Sequence, residues 1–438
     1  MKIGFLALSG LRAHDKKLLK LGLTLPGVLD RGKVLSSLPS LGLLYLAAST
    51  PAGHELHYYE AERDGSEPED VYDCDLVAIS TFSAQVFEAY AIADRLRAKG
   101  VKVAMGGLHV TVEQQEALEH ADFVFLGEGE QSWNEAIPRM VAGTAKRVWD
   151  ARASAPMELS SLPIPRYDLL ADRPYTRFPV QTTRGCPWRC DFCASNVMFF
   201  HPYRKRSVQQ IIRDVEAVKQ IKKRPFIEFA DDNTFVDHQW GKNLCRELIP
   251  QRVKWFTETD VSVADNPELL SLMRESGCKQ VLIGIESPDP ASLDGVELRA
   301  NFKSRYQGDV RQAVNRIQSQ GITVNGCFIL GLDSHTPEIF EQVLRFANEA
   351  ELWDVQITVL TPFPGTPLYQ RLEAEGRLLQ PNRWDLCTLF DVNFEPKQMS
   401  VEQLRKGIYW LAERLYTREA IADRRRSFLS KAFVSHRV

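Results

Sequence analysis

The chain has 438 residues, 44% apolar and 25% charged, with a formal net charge of −3. That length can hold more than one core and two or three domains, and so even a charge balance gives no field to draw in nucleic acid. The longest apolar run, 41–48, is far short of the roughly 20 residues of a membrane span, and Arg12, Lys16 and Lys17 follow the apolar residues 3–8 too closely for a signal peptide. A cytoplasmic protein without a transmembrane segment is expected.

Residues 1–145 alternate strand and helix signals. Runs 2–8, 55–60, 76–80, 101–105 and 123–126 read as short apolar strands, with helical stretches at 40–49, 84–99, 113–119 and 131–141 between them. Such alternation predicts a Rossmann-like, doubly wound parallel sheet, whose ligands sit outside the carboxyl ends of the strands. The loops expected there carry Ser80-Thr81-Phe82-Ser83, Gly106-Gly107-Leu108-His109 and Gly127-Glu128-Gly129-Glu130. Glycine lets backbone approach a large ligand closely, although a tight turn also explains each of these glycines.

Residues 146–175 lack a pattern and contain Pro156, Pro163, Pro165 and Pro174, the composition of a linker. From 176 to 381 the alternation resumes, with strands at 180–183, 226–230, 254–257, 280–285, 323–330 and 354–360 and helices at 207–222, 238–249, 267–276, 309–320 and 337–349. Six units predict a partial (β/α)6 barrel, in which function gathers at the C-terminal strand ends.

The first of these strands runs into Arg184-Gly185-Cys186-Pro187-Trp188-Arg189-Cys190-Asp191-Phe192-Cys193. Three thiolates spaced Cys-x-x-x-Cys-x-x-Cys can hold three irons of a four-iron four-sulfur cluster and leave the fourth iron open. An open metal position is the mark of a site built for chemistry. A zinc knuckle lacking a local fourth ligand, or buried unpaired cysteines, are the competing readings. The other cysteines, Cys74, Cys245, Cys278, Cys327 and Cys387, stand singly, as buried thiols in a reducing compartment do.

Later strand ends carry polar motifs. Glu228-Phe229-Ala230-Asp231-Asp232-Asn233 offers acceptors for an ammonium group, or a helix cap. Glu258 and Asp260 place carboxylates on the same rim. In Ile283-Gly284-Ile285-Glu286-Ser287 a glutamate closes an apolar strand, a costly position unless it is solvated or paired. Residues 361–369, Thr-Pro-Phe-Pro-Gly-Thr-Pro-Leu-Tyr, form a rigid turn. Beyond 382 a helical C-terminal segment is expected, opening on a Ser400–Gln403 capping box, with Leu404, Ile408, Leu411 and Leu415 at helical spacing and Arg424, Arg425 and Arg426 on a solvated face. A membrane-surface role for that arginine run, flanked by Phe428, Leu429 and Phe433, is the alternative.

The cysteine motif resembles that of the radical S-adenosylmethionine (SAM) superfamily. Together with residues 38–47, 106–111 and 127–130, it resembles the cobalamin-binding members of that superfamily along nearly the whole chain. The resemblance implies a Rossmann-like cobalamin-binding domain (1–145), a linker (146–175), a partial radical SAM barrel (176–381) and a short helical C-terminal domain (382–438). It implies a 4Fe-4S cluster on Cys186, Cys190 and Cys193, and SAM held by Phe192, Asp231, Asp232, Glu258, Gly284 and Glu286, with residues 361–369 closing its pocket. It places cobalamin against Ser80, Thr81, Gly106, Gly107, His109 and Gly127. The Asp-x-His-x-x-Gly signature of a cobalt-ligating histidine is absent from 1–150, and Asp333-x-His335 lacks its glycine, so His109 is read as a wall residue. The implied activity is cleavage of SAM to a 5′-deoxyadenosyl radical, fed by an external flavodoxin- or ferredoxin-type donor, and methylation of an unactivated carbon of a small molecule or lipid. Radical cyclisation, ring rearrangement or carbon–carbon coupling is the alternative, followed by cofactor binding without turnover. The N-terminal domain lacks an extra cysteine set and no basic RNA-binding domain follows the barrel, so a nucleic-acid substrate is not expected.

Overall fold

The computed structural model describes residues 1–438 except 9, 11, 22–37, 63–64, 153, 199–202, 307–308 and 435–438. Six strands, β1 (Lys2–Ala7), β2 (Glu55–Glu60), β3 (Leu76–Ser80), β4 (Lys102–Gly106), β5 (Phe123–Leu126) and β6 (Val148–Asp150), pair in parallel in the order β2-β1-β3-β4-β5-β6. Helices cover both faces, so β1, β3 and β5 read as near-continuous apolar runs instead of alternating ones. The order reverses between β1 and β3, which opens the ligand-binding crevice of such sheets there.

β6 falls in the stretch expected to be linker. It is only three residues long, and its anchor is Trp149, buried and stacked on Phe125 with ring centroids 6.2 Å apart. A single tryptophan leaves no periodicity to read. Residues 151–175 are otherwise irregular apart from two 3-10 turns, Leu159–Ser161 and Tyr167–Leu170.

The second unit contains β7 (Arg177–Val180), β8 (Thr183–Arg184), β9 (Arg204–Lys205), β10 (Phe226–Phe229), β11 (Lys254–Thr259), β12 (Cys278–Glu286), β13 (Thr323–Leu330) and β14 (Asp354–Val359). Six of them pair in parallel in the order β14-β13-β12-β11-β10-β7, and the two edges do not pair with each other, as in a partial (β/α)6 barrel. β8 and β9 form a separate antiparallel ribbon. The first barrel strand therefore ends three residues earlier than its sequence suggests, because the amides of Thr182 and Thr183 donate to the Asp231 carboxylate and not to a neighbouring strand. The inner face of the barrel is closed at depth by Arg177, which pairs with Glu228 and lies 5.5 Å from the Phe256 ring.

The ribbon is also the joint between the two units. Arg184 of β8 donates to Glu128 at 3.1 Å and to Glu130 at 2.8 Å, and Arg204 of β9 reaches Glu128 and the Met157 carbonyl. Arg206 pairs with Asp214 and donates to Tyr45 Oη at 2.8 Å. One continuous apolar core runs from Ile3 and Phe5 of the first sheet through the barrel to Leu415. A second core, on the other face of the first sheet, is completed by Tyr369, Trp384 and Cys387 from the C-terminal part of the chain. The irregular aromatic stretch after 382 thus closes the first domain as well as the barrel.

The Ser400–Gln403 capping box forms and opens the helix Val401–Leu415. The last helix, Arg418–Val434, departs from expectation at Arg424, which is buried and donates to the Leu415 carbonyl at 2.9 Å. Arg425 lies 5.1 Å from the Trp353 ring and Phe428 packs edge-on against it, so the arginine run is not a uniform solvated face. Among the described residues no helix is long and apolar enough to cross a membrane.

Breaking the joint leaves a buried carboxylate unpaired. Arg184→Met is expected to destabilise the chain by roughly 3–5 kcal/mol, read as a lower urea midpoint and faster proteolysis within 151–175.

Candidate active site

The cysteine loop is fixed at its root by one carboxylate. Asp231, just past the end of β10, accepts from the Thr182 amide at 2.8 Å, the Thr183 amide at 2.9 Å, Thr234 Oγ1 at 2.7 Å and Thr182 Oγ1. Burial pushes its acid up to about 6 while these four donors pull the other way. Four donors fill the four lone-pair directions of a carboxylate, so Asp231 anchors the loop and has no acceptor left for a ligand's ammonium. Its neighbour Asp232 is exposed, and it accepts from the Ser195 hydroxyl and the Gly185 amide. Of the acidic pair singled out in the sequence, it is Asp232 whose carboxylate is exposed and carries only two donors.

Gly185, at φ 79°, turns the chain into the three cysteines. Cys186, Cys190 and Cys193 are free thiols, each half-buried. Without a metal's positive charge, burial pushes Cys193 up to about 11 and Cys186 up to about 12, and raises Cys190 as well. Among the described residues no three His, Cys, Asp or Glu side chains are grouped to hold a single metal ion. Phe192 is half-buried and packs on the core.

Two outer segments hold this loop. The turn 361–369 presses Gly365 against Val112 and Val197, where a Cβ would come within 2.8 Å of Val112. Leu368 then donates its amide to the Asp191 carbonyl at 3.0 Å, and Arg371 reaches the Asp191 carboxylate at 3.0 Å. Arg371 also pairs with Asp333, which disposes of the Asp333-x-His335 match. His335 is buried beside Ser287, and loss of water lowers it to about 4.

On the barrel rim, Glu258 is exposed and lies two residues beyond Phe256 on the inner face of β11. Gly284 and Glu286 close β12 beside a small cavity of about 70 Å³ lined by Ile283, Gly284, Ile285, Phe302 and Lys303. Glu286 is paired with Lys303, a residue that no pattern in its polar loop singles out.

Across the cleft, a second cavity of about 250 Å³ sits at the carboxyl ends of β3, β4 and β5. Ser80, Gly106, Gly107 and Gly127 line it, together with the apolar side chains of Leu41, Leu46, Ile79, Met105, Phe125 and Trp133. Gly107 has φ 101°, and a Cβ there would stand 2.9 Å from the Thr81 carbonyl. Thr81 and His109 are not in the lining. Thr81 is buried behind Gly107. The His109 ring bonds Ser83 Oγ at 3.1 Å and Glu116 at 3.2 Å, with Trp384 edge-on at 5.4 Å, and burial lowers its pKa. The barrel supplies the opposite wall through Gln181, Arg184, Met198 and Ala230.

A model of the radical SAM superfamily matches residues 180–347, and a model of the B12 binding domain matches 27–137. The chain belongs to the cobalamin-binding radical SAM enzymes. A domain of unknown function matches 366–436. The chain is similar to bacteriochlorophyllide d C-12(1)-methyltransferase of Chlorobaculum tepidum, 27% identical over 404 residues that cover 91% of this chain and 86% of that one. It is similar to the hopanoid C-2 methylase of Rhodopseudomonas palustris, 27% identical over 358 residues, 79% of this chain and 66% of that one. The fold is shared with the solved cobalamin-dependent S-adenosylmethionine radical enzyme OxsB, with a TM-score of 0.69 at 13% identity over 99% of this chain and 71% of that chain.

A cobalamin-binding radical SAM enzyme must house a cluster, SAM and a corrin. The donor set fits the first: three thiols on one anchored loop, with no fourth cysteine in it. The glycine-walled, mostly apolar cavity fits part of the last, since a whole corrin exceeds about 250 Å³ and must extend into the cleft. The exposed carboxylate of Asp232, with lone pairs beyond those taken by Ser195 and Gly185, fits the ammonium of SAM.

The two aspartates should separate experimentally. Asp231→Asn removes acceptors from a loop held by charge-assisted hydrogen bonds worth about 1.5–3 kcal/mol each, so iron bound after reconstitution should fall well below wild type. Asp232→Asn should retain its iron, and calorimetric titration should show weaker SAM binding.

Proposed function

We propose that this chain methylates an unactivated carbon of a small-molecule or lipid acceptor held between the two cavities. One observation carries the reading: Gln181 and Arg184, which line the cavity of the first domain, precede Cys186 by five and two residues. The cysteine loop and the cobalamin-type cavity therefore open onto one cleft. Bound there, the cluster with SAM supplies a carbon-centred radical from one electron of an external flavodoxin- or ferredoxin-type donor, and cobalamin supplies a transferable methyl group.

The protein's part is placement and exclusion. Cys186, Cys190 and Cys193 would hold the cluster, and Asp231 keeps their loop in register with β10. Asp232, Glu258, Gly284 and Glu286 would bind SAM on the barrel rim, with Phe192 behind the loop. Ser80, Gly106, Gly107 and Gly127 would carry the corrin edge. Arg184 sets the separation of the two cofactors, because it cannot leave Glu128 and Glu130 without exposing a buried charge.

Anaerobic incubation with SAM and dithionite should release 5′-deoxyadenosine from the wild type and none from Cys190→Ala, whose iron content should also collapse. Reductive cleavage retained in Cys190→Ala would falsify the cluster assignment. Gly107→Ala, which forces a methyl carbon against the Thr81 carbonyl in a left-handed backbone, should lower bound cobalt severalfold and leave iron unchanged by metal analysis. With an acceptor in hand, the product should gain the mass of one methyl group; a product with no added carbon overturns methylation in favour of cyclisation or coupling.

A further inference from the structure

The segment that follows β12 folds back over the cysteine loop and becomes part of it. Glu297 pairs with Cys190 as an antiparallel bridge. The Leu298 amide donates to the Arg189 carbonyl and the Asp191 amide to the Val296 carbonyl, both at 2.9 Å. The Glu297 carboxylate accepts the Arg189 amide at 2.8 Å. Trp188 stacks on Phe302 with ring centroids 4.2 Å apart and planes 9° from parallel. These contacts deliver the next residue, Lys303, to the inner side of the loop.

The Lys303 ammonium donates to the Gly284 carbonyl at 3.1 Å and to the Glu286 carboxylate. Among the described residues Glu286 is its one ion-pair partner. Three features of β12 are shaped around this pair. Gly284 has no Cβ, and one there would lie 2.5 Å from Glu286 Oε1 and 2.9 Å from Lys303 Nζ. Glu286 adopts φ 62°, a strained left-handed backbone for a residue with a side chain. The register with β13 shifts between Gly284 and Glu286. Three local irregularities serving one ion pair mark a built feature, at the end of the segment that bridges to Cys190 and stacks on Trp188.

We propose that the Glu286–Lys303 pair is a charge gate on the cluster. While Glu286 holds Lys303, the ammonium is cancelled. When bound SAM engages Glu286, an assumption that rests on the proposed function, the ammonium stands uncompensated near Cys190. A positive charge in such a low-dielectric site stabilises the more negative, reduced cluster. The step it gates is uptake of one electron by the cluster from an external one-electron donor; no bond or proton moves at the pair. Reduction is thereby tied to the presence of co-substrate. Lys303 is in this sense a positioning residue, acting through charge and not by touching the reacting atoms.

The test is a potentiometric titration of the reconstituted holoenzyme, followed by electron paramagnetic resonance of the reduced cluster, without and with SAM. Lys303→Met should be at least tenfold harder to reduce than wild type with SAM present, about 59 mV for a one-electron couple. Lys303→Arg should restore the wild-type value. Glu286→Gln should titrate, without SAM, above ligand-free wild type, because its lysine is already unmasked. Wild-type potentials in both Lys303→Met and Glu286→Gln overturn the gate. A wild-type chain that assembles no cluster overturns the proposed function instead.

Discussion

The arrangement depends on the burial of Arg184. A guanidinium removed from water must be matched by carboxylates at hydrogen-bond distance, and the two that match it, Glu128 and Glu130, belong to the other domain. Satisfying that charge leaves one relative position for the two sheets. Arg204 repeats the contact on Glu128, and Arg206 ties the same ribbon to Tyr45 and Asp214. Two parallel sheets whose carboxyl ends each collect ligands are thus turned to face a single cleft. Strands built from apolar residues could pack in many ways; it is the charged ribbon β8–β9 that selects among them.

A second constraint acts on the scale of the loop. Three thiols can share a cluster only if the loop returns to one geometry, and short loops between a strand and a helix do not hold themselves. Asp231 locks the entrance, the 296–299 segment pairs along the middle, and Arg371 grips Asp191 from outside. The last of these comes from within the stretch matched by the domain of unknown function. That stretch also places Trp384 against His109 and completes the second core of the first domain. Its position argues that it joins the two cofactor domains as well as extending the second.

Much of this was legible in the sequence where a local pattern carried it. The strand runs, the Cys-x-x-x-Cys-x-x-Cys spacing and the Ser400–Gln403 cap are local, and the elements follow them. The glycines at 106, 107 and 127 stand at strand ends, where the alternation put the loops, and they line the cavity. What did not show were features decided by partners distant in sequence. Asp231 and Asp232 are adjacent and alike in type, but only Asp231 meets the donors of Thr182, Thr183 and Thr234. His109 follows a glycine pair at a strand end, yet its ring finds Ser83, Glu116 and Trp384, the last 275 residues away. Lys303 carries no motif, and Arg424 sits in a run of three arginines that differ in burial because one face of their helix meets the barrel.

The central claim is that one chain holds both cofactors across one cleft. Its most direct test is metal analysis and an absorbance spectrum of protein made anaerobically with hydroxocobalamin supplied. The account predicts about four irons per chain together with near-stoichiometric cobalt. Iron without cobalt would contradict it, leaving the glycine-walled cavity of the first domain without its ligand and the chemistry to the cluster and SAM alone.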